Sequence, residues 1–307
     1  NMNMTYCRIR YCNNNSDYGA IHGQGGKVTF DNGIIESSVY ECVRMNSGTF
    51  VSHNSVFRDA SMGFGYFGGS GTYVYNGVVA DCTTASRASN KHFYNTIFYR
   101  CLKFVDTPGS TFDHCVFYNP PDFGGVQSAT YVGSNGNVWA DPRFKDGEVG
   151  DYRIEGDSPC IDAGSNNYVS SVVDLDGNRR IVNEVVDIGA YESQPMDISD
   201  VLDCEDLDFD LGGDATWFAQ SSVTKIGSTA MRSGAIGDDE STWLETYIEG
   251  EGTLTFWWKV SSEIYKKTPI DCLVFSLDDI DLREIGGETE WSQVTMEVKG
   301  TGWHVVR

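Results

Sequence analysis

The chain has 307 residues, of which 40% are hydrophobic and 21% charged, and its formal net charge is −22 at pH 7. So acidic a surface disfavours non-specific binding to nucleic acid or to an anionic membrane, and the composition is not that of a disordered protein. No apolar run approaches the roughly 20 residues of a membrane-spanning helix. With 34 glycines and 13% aromatic residues, the composition is typical of an all-β protein with many turns.

A repeated motif occupies the first 120 residues. Its six copies align on a small residue at positions 7, 33, 55, 77, 96 and 115. A mostly large, apolar residue lies three positions earlier, asparagine directly precedes the small residue in four copies, and an apolar residue lies two positions later. Asparagine tolerates the left-handed backbone conformation and can hydrogen-bond to the next copy. The period near 20 therefore predicts strand–turn–strand rungs that stack into a solenoid.

The repeat resembles the right-handed parallel β-helix over residues 1–139, with the asparagine column similar to the asparagine ladder of that fold. The motifs that follow resemble, in the same order, the end segment of bacterial surface proteins with a choice-of-anchor β-helix module. These motifs are residues 141–144, 151–154, 157–164, 174–180 and 187–192. The resemblance implies a β-helix domain over residues 1–194 on a secreted or surface-displayed bacterial protein, and it implies no reaction.

A second domain is expected after an acidic linker over residues 195–210. Residues 211–307 contain alternating strand-like segments separated by glycine and acidic turns, which predicts an antiparallel β-sandwich. The pattern resembles a jelly-roll module, similar in kind to lectin-like and carbohydrate-binding sandwiches. One more strand pair normally follows in that family, so we expect the sandwich to be incomplete and the chain to be a fragment of a longer protein.

The nine cysteines do not form a zinc motif, because neither a Cys-x-x-Cys nor a histidine pair at ligand spacing occurs. Cys12, Cys82 and Cys101 share one column of the repeat, and Cys7 and Cys115 share another. Stacked small side chains inside a solenoid explain both columns, which favours buried free thiols. Disulfides between neighbouring rungs, about 4.8 Å apart, are the alternative.

One acidic loop is a candidate calcium site. Asp174, Asp176 and Asn178 place oxygen atoms at alternate positions around Gly177, as a calcium loop does. The alternative is an Asp/Gly turn whose side chains bind backbone amides, because no acidic residue follows at the distance that a full EF-hand loop requires. Calcium is therefore the one candidate cofactor.

The candidate catalytic residues are Arg58 and Asp59, adjacent charges on the outside of one rung. Lyases and hydrolases built on β-helices need clustered carboxylates, or a metal with a basic residue, on one outer groove. The repeat columns show no such cluster, so a solvated ion pair is the alternative interpretation. The outward column directly after the small residue is β-branched in most copies, which indicates either a docking face or a surface covered by loops.

The candidate ligand-binding residues are Trp257 and Lys259. Alternation along residues 253–260 places them opposite Leu254, Phe256 and Trp258. Trp257 is thus the best sugar-stacking candidate, unless both faces of its strand are covered and it belongs to the core.

We expect a non-enzymatic extracellular or cell-surface protein, an adhesin or glycan-binding scaffold with the β-helix as a rigid stalk. Its partner would be a polysaccharide or a glycan of a host or neighbouring cell, and neither nucleic acid nor a membrane span is expected. One alternative is a polysaccharide lyase or hydrolase with an accessory carbohydrate-binding module. Another is a structural tile of a giant repetitive surface protein, which associates with copies of itself through the solenoid ends. Fold resemblance does not choose among them, because function lies in sites.

Overall fold

A computed structural model describes residues 1–12, 19–67, 71–87, 90–103, 110–119, 132–194, 198–204, 206–220, 223–266 and 268–307, without the side chains of residues 66 and 67. The chain divides into two compact units, Asn1–Gln194 and Pro195–Arg307. Nearly all regular structure is β, as predicted. In the described part of the chain, no helix is long and apolar enough to cross a membrane.

The strands of the first unit are β1 (Met2–Thr5), β2 (Arg8–Arg10), β3 (Gly19–Asp31), β4 (Ile34–Phe67), β5 (Gly71–Ser86), β6 (Lys91–Tyr94), β7 (Ile97–Tyr99), β8 (Thr111–Asp113), β9 (Val116–Tyr118), β10 (Val138–Trp139), β11 (Phe144–Asp146) and β12 (Asp151–Ile154). The long strands β3, β4 and β5 turn corners and contribute to more than one rung. A 3-10 turn covers Asn166–Tyr168.

Strands β1 to β10 stack in parallel into a solenoid of about five turns, which confirms the fold predicted from the repeat. Strands β11 and β12 form a separate antiparallel pair. The ten strands are paired into one parallel sheet that bends round the solenoid. We name its face of β1, β6, β8 and residues 28–31, 49–53 and 72–75 the first sheet, and its face of β2, β7, β9, β10 and residues 34–36, 55–58 and 77–80 the second sheet. A third face pairs residues 19–23 with 41–45 and residues 60–64 with 82–86. In the second sheet, Val78 pairs with Ile97, and Ile97 pairs with Val116. The right-handed sense remains a prediction from the resemblance.

Asparagines form the corner between the two sheets. Asn32, Asn54, Asn76 and Asn95 all have φ between 47° and 52°, the left-handed conformation expected of this column. The Nδ2 of Asn54 donates to Oδ1 of Asn32 at 3.0 Å, and Asn95 donates in the same way to Asn76 at 2.9 Å. The predicted contacts between stacked copies are therefore present.

Phenylalanine side chains fill the solenoid. Phe30, Phe57, Phe93 and Phe98 are among those with no exposed surface, and neighbouring rings pack at centroid distances near 5–6 Å. The small column exists because these rings need room: a Cβ on Gly33 would lie 2.4 Å from the Phe30 ring. None of the nine cysteines, all of which lie in the described ranges, forms a disulfide, and those buried are Cys42, Cys82, Cys101, Cys115 and Cys160.

A second core lies on the outside of the second sheet. Residues 144–191, here named the covering segment, return over the rungs and bury Tyr152 and Ile188 against Val78, Ile97 and Val116. The β-branched column is thus covered by the chain itself, which resolves the two alternatives left by the sequence. Covering a row of Val and Ile side chains removes a large apolar patch from water.

The second unit contains the helix α1 (Ile198–Val201) and antiparallel strands. Its strands are β13 (Phe209–Gly213), β14 (Phe218–Gln220), β15 (Ala230–Arg232), β16 (Thr242–Glu249), β17 (Gly252–Trp258), β18 (Ile264–Tyr265), β19 (Thr268–Pro269), β20 (Cys272–Leu277), β21 (Ile280–Gly286), β22 (Ser292–Val298) and β23 (Trp303–Val306). The helix and the start of β13 lie within residues 195–210, so the described part of the expected linker is partly regular structure.

A five-stranded sheet in the order β13-β16-β23-β20-β21 and the pair β17-β22 enclose the core of the second unit. Trp258 of β17, Phe275 of β20 and Val294 of β22 meet in that core. The expected face of residues 253–260 is confirmed, since Trp258 is buried and Leu254 and Phe256 pack against the same cluster. The jelly-roll connection of these sheets remains a prediction.

Candidate functional site: an aromatic groove on the solenoid

Aromatic side chains stand in two columns on the outer face of the first sheet. They occur at alternate positions of their strands, because successive side chains of a strand point to opposite faces. We name this set the aromatic face, and it consists of His53, Tyr73, Tyr75, His92 and Tyr94. Each side chain is half-buried, so the rings are held by their neighbours while part of each remains open to solvent.

The rings of the aromatic face stack along the solenoid axis. Centroids are 5.0 Å apart for His53 and Tyr75, 4.9 Å for Tyr75 and Tyr94, and 4.8 Å for Tyr73 and His92, with interplanar angles of 11–17°. These distances follow the spacing of the rungs, about 4.8 Å. Face-to-face stacking directs the ring edges, with their hydroxyl groups and ring nitrogens, away from the sheet.

Carboxylates end the longer column on both sides. His53 Nδ1 lies 2.7 Å from Oδ1 of Asp31. At the other end, Tyr168 of the covering segment stacks on Tyr94 at 4.3 Å and donates its hydroxyl to Oδ2 of Asp113 at 2.7 Å. Burial and this hydrogen bond raise the pKa of Tyr168 to about 12, so the phenol remains a donor at neutral pH.

A groove of about 560 Å³ runs beside the aromatic face. Its lining combines the first sheet with a wall from the covering segment: Lys27, Thr49, Val51, His53, Tyr73, Tyr75, Asn167, Tyr168, Val169 and Ser170. The volume lies in the roughly 300–1,000 Å³ range of small-ligand sites, and a few polar groups among aromatic walls are typical of such sites.

Tyr73 ends the shorter column of the aromatic face, because its register partner on the preceding rung is Val51 rather than another aromatic residue. Its phenol tip crosses the backbone at Gly71, where a Cβ would lie 2.9 Å from the ring. Gly71 also has φ of 147°. The glycine therefore gives the Tyr73 ring its position.

Three members of the aromatic face are uncharged at neutral pH. Burial raises the pKa of Tyr75 and of Tyr94, and burial lowers the pKa of His92. Burial disfavours the charged form of each group. These three side chains therefore present neutral hydrogen-bonding edges, which suit a ligand rich in hydroxyl groups.

The candidate catalytic pair Arg58 and Asp59 lies beside the covering segment, outside the groove. Arg58 Nε is 2.8 Å from Oδ2 of Asp59 and 3.4 Å from Oε2 of Glu36, and its guanidinium carbon is 5.7 Å from the Tyr152 ring centroid. Gly150 leaves the space that the guanidinium occupies. The geometry gives Arg58 a role in anchoring the covering segment.

The candidate calcium loop uses its carboxylates internally. Asp174 Oδ1 accepts from the amides of Asp176 and Asn178 at 3.0 and 2.8 Å, and Oδ2 accepts from the amide of Glu192 at 2.9 Å. Asp176 receives two hydrogen bonds from Arg153, at 2.6 and 2.9 Å. This is the geometry of the Asp/Gly turn alternative. Among the residues that the structure describes, no three His, Cys, Asp or Glu side chains are grouped to hold a metal ion.

Trp257 and Lys259 lie where alternation places them, away from the buried Trp258. The Nζ of Lys225 is 4.6 Å from the Trp257 ring centroid, so a cation of the same unit already occupies one side of the indole. Both side chains are half-buried.

The aromatic face was missed by the sequence reasoning, although the repeat alignment contains it. Its members lie two and four positions before the small residue, at columns that read Asp31, His53, Tyr75, Tyr94, Asp113 and Thr29, Val51, Tyr73, His92, Thr111. Because the residue three positions before is inward, its two neighbours must point outward. Alternation alone could have revealed the columns.

Comparison of the chain with protein-family models, with curated protein sequences and with solved structures finds no match.

Proposed function

We propose that this chain is a non-enzymatic extracellular or cell-surface protein that binds a glycan in the groove of the first sheet, with the solenoid as its rigid support. The observation that carries the proposal is the alignment of five aromatic rings beside a groove of about 560 Å³. A polysaccharide is an extended polymer with apolar C–H faces and many hydroxyl groups. The groove offers a partner for each kind of surface.

The two kinds of contact come from different parts of the groove. The open ring of Tyr73 can take the apolar face of one sugar unit, while the edges of Tyr75 and His53 face hydroxyl groups. Tyrosine is well suited to this task because it presents a large apolar surface and a polar tip. The wall from residues 167–170 adds an amide, a hydroxyl and backbone groups, which supply the few directed hydrogen bonds that set orientation.

Rigidity supports recognition in this groove. The rings are fixed by stacking, and Tyr168 is fixed both by stacking on Tyr94 and by its hydrogen bond to Asp113. A site whose side chains are already ordered loses little conformational entropy on binding. Several chains displayed on one surface would add avidity to a weak single site.

A polysaccharide-degrading enzyme is the second candidate, and one observation favours it. The Nδ1 of His53 lies 2.7 Å from Asp31, and a proton shared with that carboxylate leaves the Nε2 lone pair free to act as a general base. The groove brings this imidazole next to the proposed ligand. Product formation therefore separates the two candidates.

The experiment incubates the purified chain with a panel of neutral and acidic polysaccharides and follows retained protein and released oligosaccharide together. We expect retention without product, and Tyr73→Ala to weaken it at least about tenfold, or about 1.4 kcal/mol. Tyr265→Ala, at an exposed tyrosine of the second unit, is the matched control. Release of product that His53→Ala abolishes would establish the enzyme. If neither retention nor product is observed, the structural tile of a repetitive surface protein becomes the best interpretation.

A further inference from the structure

The five-stranded sheet of the second unit has an outer face that carries exposed aromatic residues. Phe275 and Val306 of this sheet point to the core, so the residues that alternate with them point outward. Trp303 and Tyr247 are 67% and 46% exposed. Because Tyr247 pairs with Val305, the two rings are diagonal neighbours on adjacent strands, with backbones about 7–8 Å apart.

Two carboxylates lie next to this aromatic pair on the same face. Asp210, on the edge strand β13, pairs with Glu245 and is therefore diagonal to Tyr247, and Glu249 pairs directly with Trp303. Both acidic side chains are exposed. Glu284, which pairs with Val274, is on the same face at the opposite end of the strands from Trp303. Val274, itself 40% exposed, confirms that this side of the sheet faces solvent.

The guanidinium on this face is already committed. Arg307 Nε donates to Oε2 of Glu245 at 2.8 Å and lies 5.3 Å from the Trp243 ring centroid. Tyr247 donates its hydroxyl to the other oxygen of Glu245 at 2.9 Å. Arg307 therefore neutralises Glu245. The residues of this unit, 195–307, include 23 acidic and 8 basic side chains, a net charge of −15.

We propose that this face binds a glycan that carries protonated amino groups, a polymer of glucosamine units. Ammonium groups are attracted both by the faces of Trp and Tyr rings and by carboxylates. The two ring surfaces meet the apolar faces of sugar units along one extended chain. A uronate polymer would be repelled by a unit of this charge. The site differs from the groove of the solenoid in position and in the charge of its ligand, and it does not require the groove.

The test compares two ligands of equal length that differ only in acetylation, a glucosamine hexamer and an N-acetylglucosamine hexamer, in mildly acidic buffer where the amines are protonated. The whole chain is used, and affinity is measured by calorimetry at two salt concentrations. We expect the glucosamine hexamer to bind at least about tenfold more tightly, and to weaken as salt rises, because exposed charges are screened.

Two variants locate the site. Trp303→Ala should reduce affinity for the glucosamine hexamer at least about tenfold, and Glu249→Gln, which keeps the shape of the side chain, should reduce it a few-fold. Tyr265→Ala, at an exposed tyrosine outside the five-stranded sheet, is the control that should leave this affinity unchanged. Thermal unfolding of each variant checks that the unit remains folded.

Several results would overturn the proposal. If the acetylated hexamer binds as tightly as the glucosamine hexamer, charge does not contribute to recognition. If Trp303→Ala leaves the affinity for the glucosamine hexamer unchanged, this face is not the binding site. Hexalysine that binds as tightly and is equally sensitive to Trp303→Ala would identify a basic peptide site instead. Loss of neutral polysaccharide binding in Tyr73→Ala is a separate readout, so failure here and failure of the groove proposal are distinguishable.

Discussion

A buried ionic cluster in the covering segment should make the first unit more stable in mild acid. Arg180 has no exposed surface, and Asp174, Asp187 and Glu192 interact with it electrostatically while each is at most 4% exposed. Three carboxylates thus face one guanidinium. Burial raises the pKa of Glu192 to about 7, and repulsion from Asp187 acts in the same direction. Burial also raises the pKa of Asp187 to about 6.

The direction of this pH dependence follows from how many protons the folded and unfolded states bind. Glu192 in the folded state keeps its proton to a higher pH than in the unfolded state, where its pKa is about 4.3. Its contribution to stability is therefore fully present below that value and is lost as the pH rises through about 7. The difference between these two pKa values, about 2.7, gives about 2–3 kcal/mol between about pH 8 and about pH 5 from Glu192 alone.

Hydrogen exchange of peptides from residues 150–192, corrected for intrinsic rates, measures the opening free energy of this segment directly. We expect that free energy to increase as the pH falls over this range, and Glu192→Gln to remove most of the slope. Glu184→Gln, at an exposed glutamate of the same segment, should retain it. An opening free energy that increases with pH would refute the reasoning, as would an unchanged slope in Glu192→Gln.

Three further predictions concern packing and the groove. Ile97→Ala should destabilise the first unit by about 2–5 kcal/mol, because Ile97 is buried between the second sheet and the covering segment. A decrease in the free energy of unfolding of less than about 1 kcal/mol, measured by urea unfolding, would contradict the second core. Asn95→Ala should lower the free energy of unfolding by about 2–4 kcal/mol, because it removes hydrogen bonds to the backbone of the covering segment and places alanine at φ 47°. Asn95→Gly should lower it by less, because glycine adopts this φ without strain. Gly71→Ala should weaken glycan binding by displacing the Tyr73 ring, whereas Gly133→Ala, at a positive φ with open space, should not. If the two variants bind the glycan with equal affinity in a binding assay, the position of the Tyr73 ring does not matter for recognition.

The solenoid could be derived from sequence because each rung repeats the same local requirements. The left-handed corner demands asparagine at positions such as Asn54 and Asn76, and the packing of Phe30 demands a residue as small as Gly33 nearby. Such requirements recur at a fixed period, so one sequence contains several independent observations of them. The second corner, with Asp59 also at positive φ, shows no single preferred residue and was not recognised.

The contacts of the covering segment and the groove could not be derived in the same way. Both depend on residues far apart in the chain, such as Tyr168 against Tyr94 and Tyr152 beside Arg58, and a repeat alignment does not specify which outer column a later segment will cover. The sequence left open whether the β-branched column docks a partner or is covered. Only the packing of residues 144–191 decides that question.

The covering segment also changes how this repeat array should fold and fail. Arrays of repeats are stabilised by contacts between nearest neighbours and can unfold from one end. The covering segment contacts several rungs at once, so those rungs should unfold together. Synthesis proceeds from the N-terminus, so at about 5–20 residues per second the β-branched column waits roughly 4–15 s after residue 118 before residue 191 follows. During that interval an apolar, flat β surface is open to association with other chains. A cut within residues 144–191 should recreate that state permanently, and aggregation of the truncated solenoid rather than gradual loss of single rungs is its expected consequence.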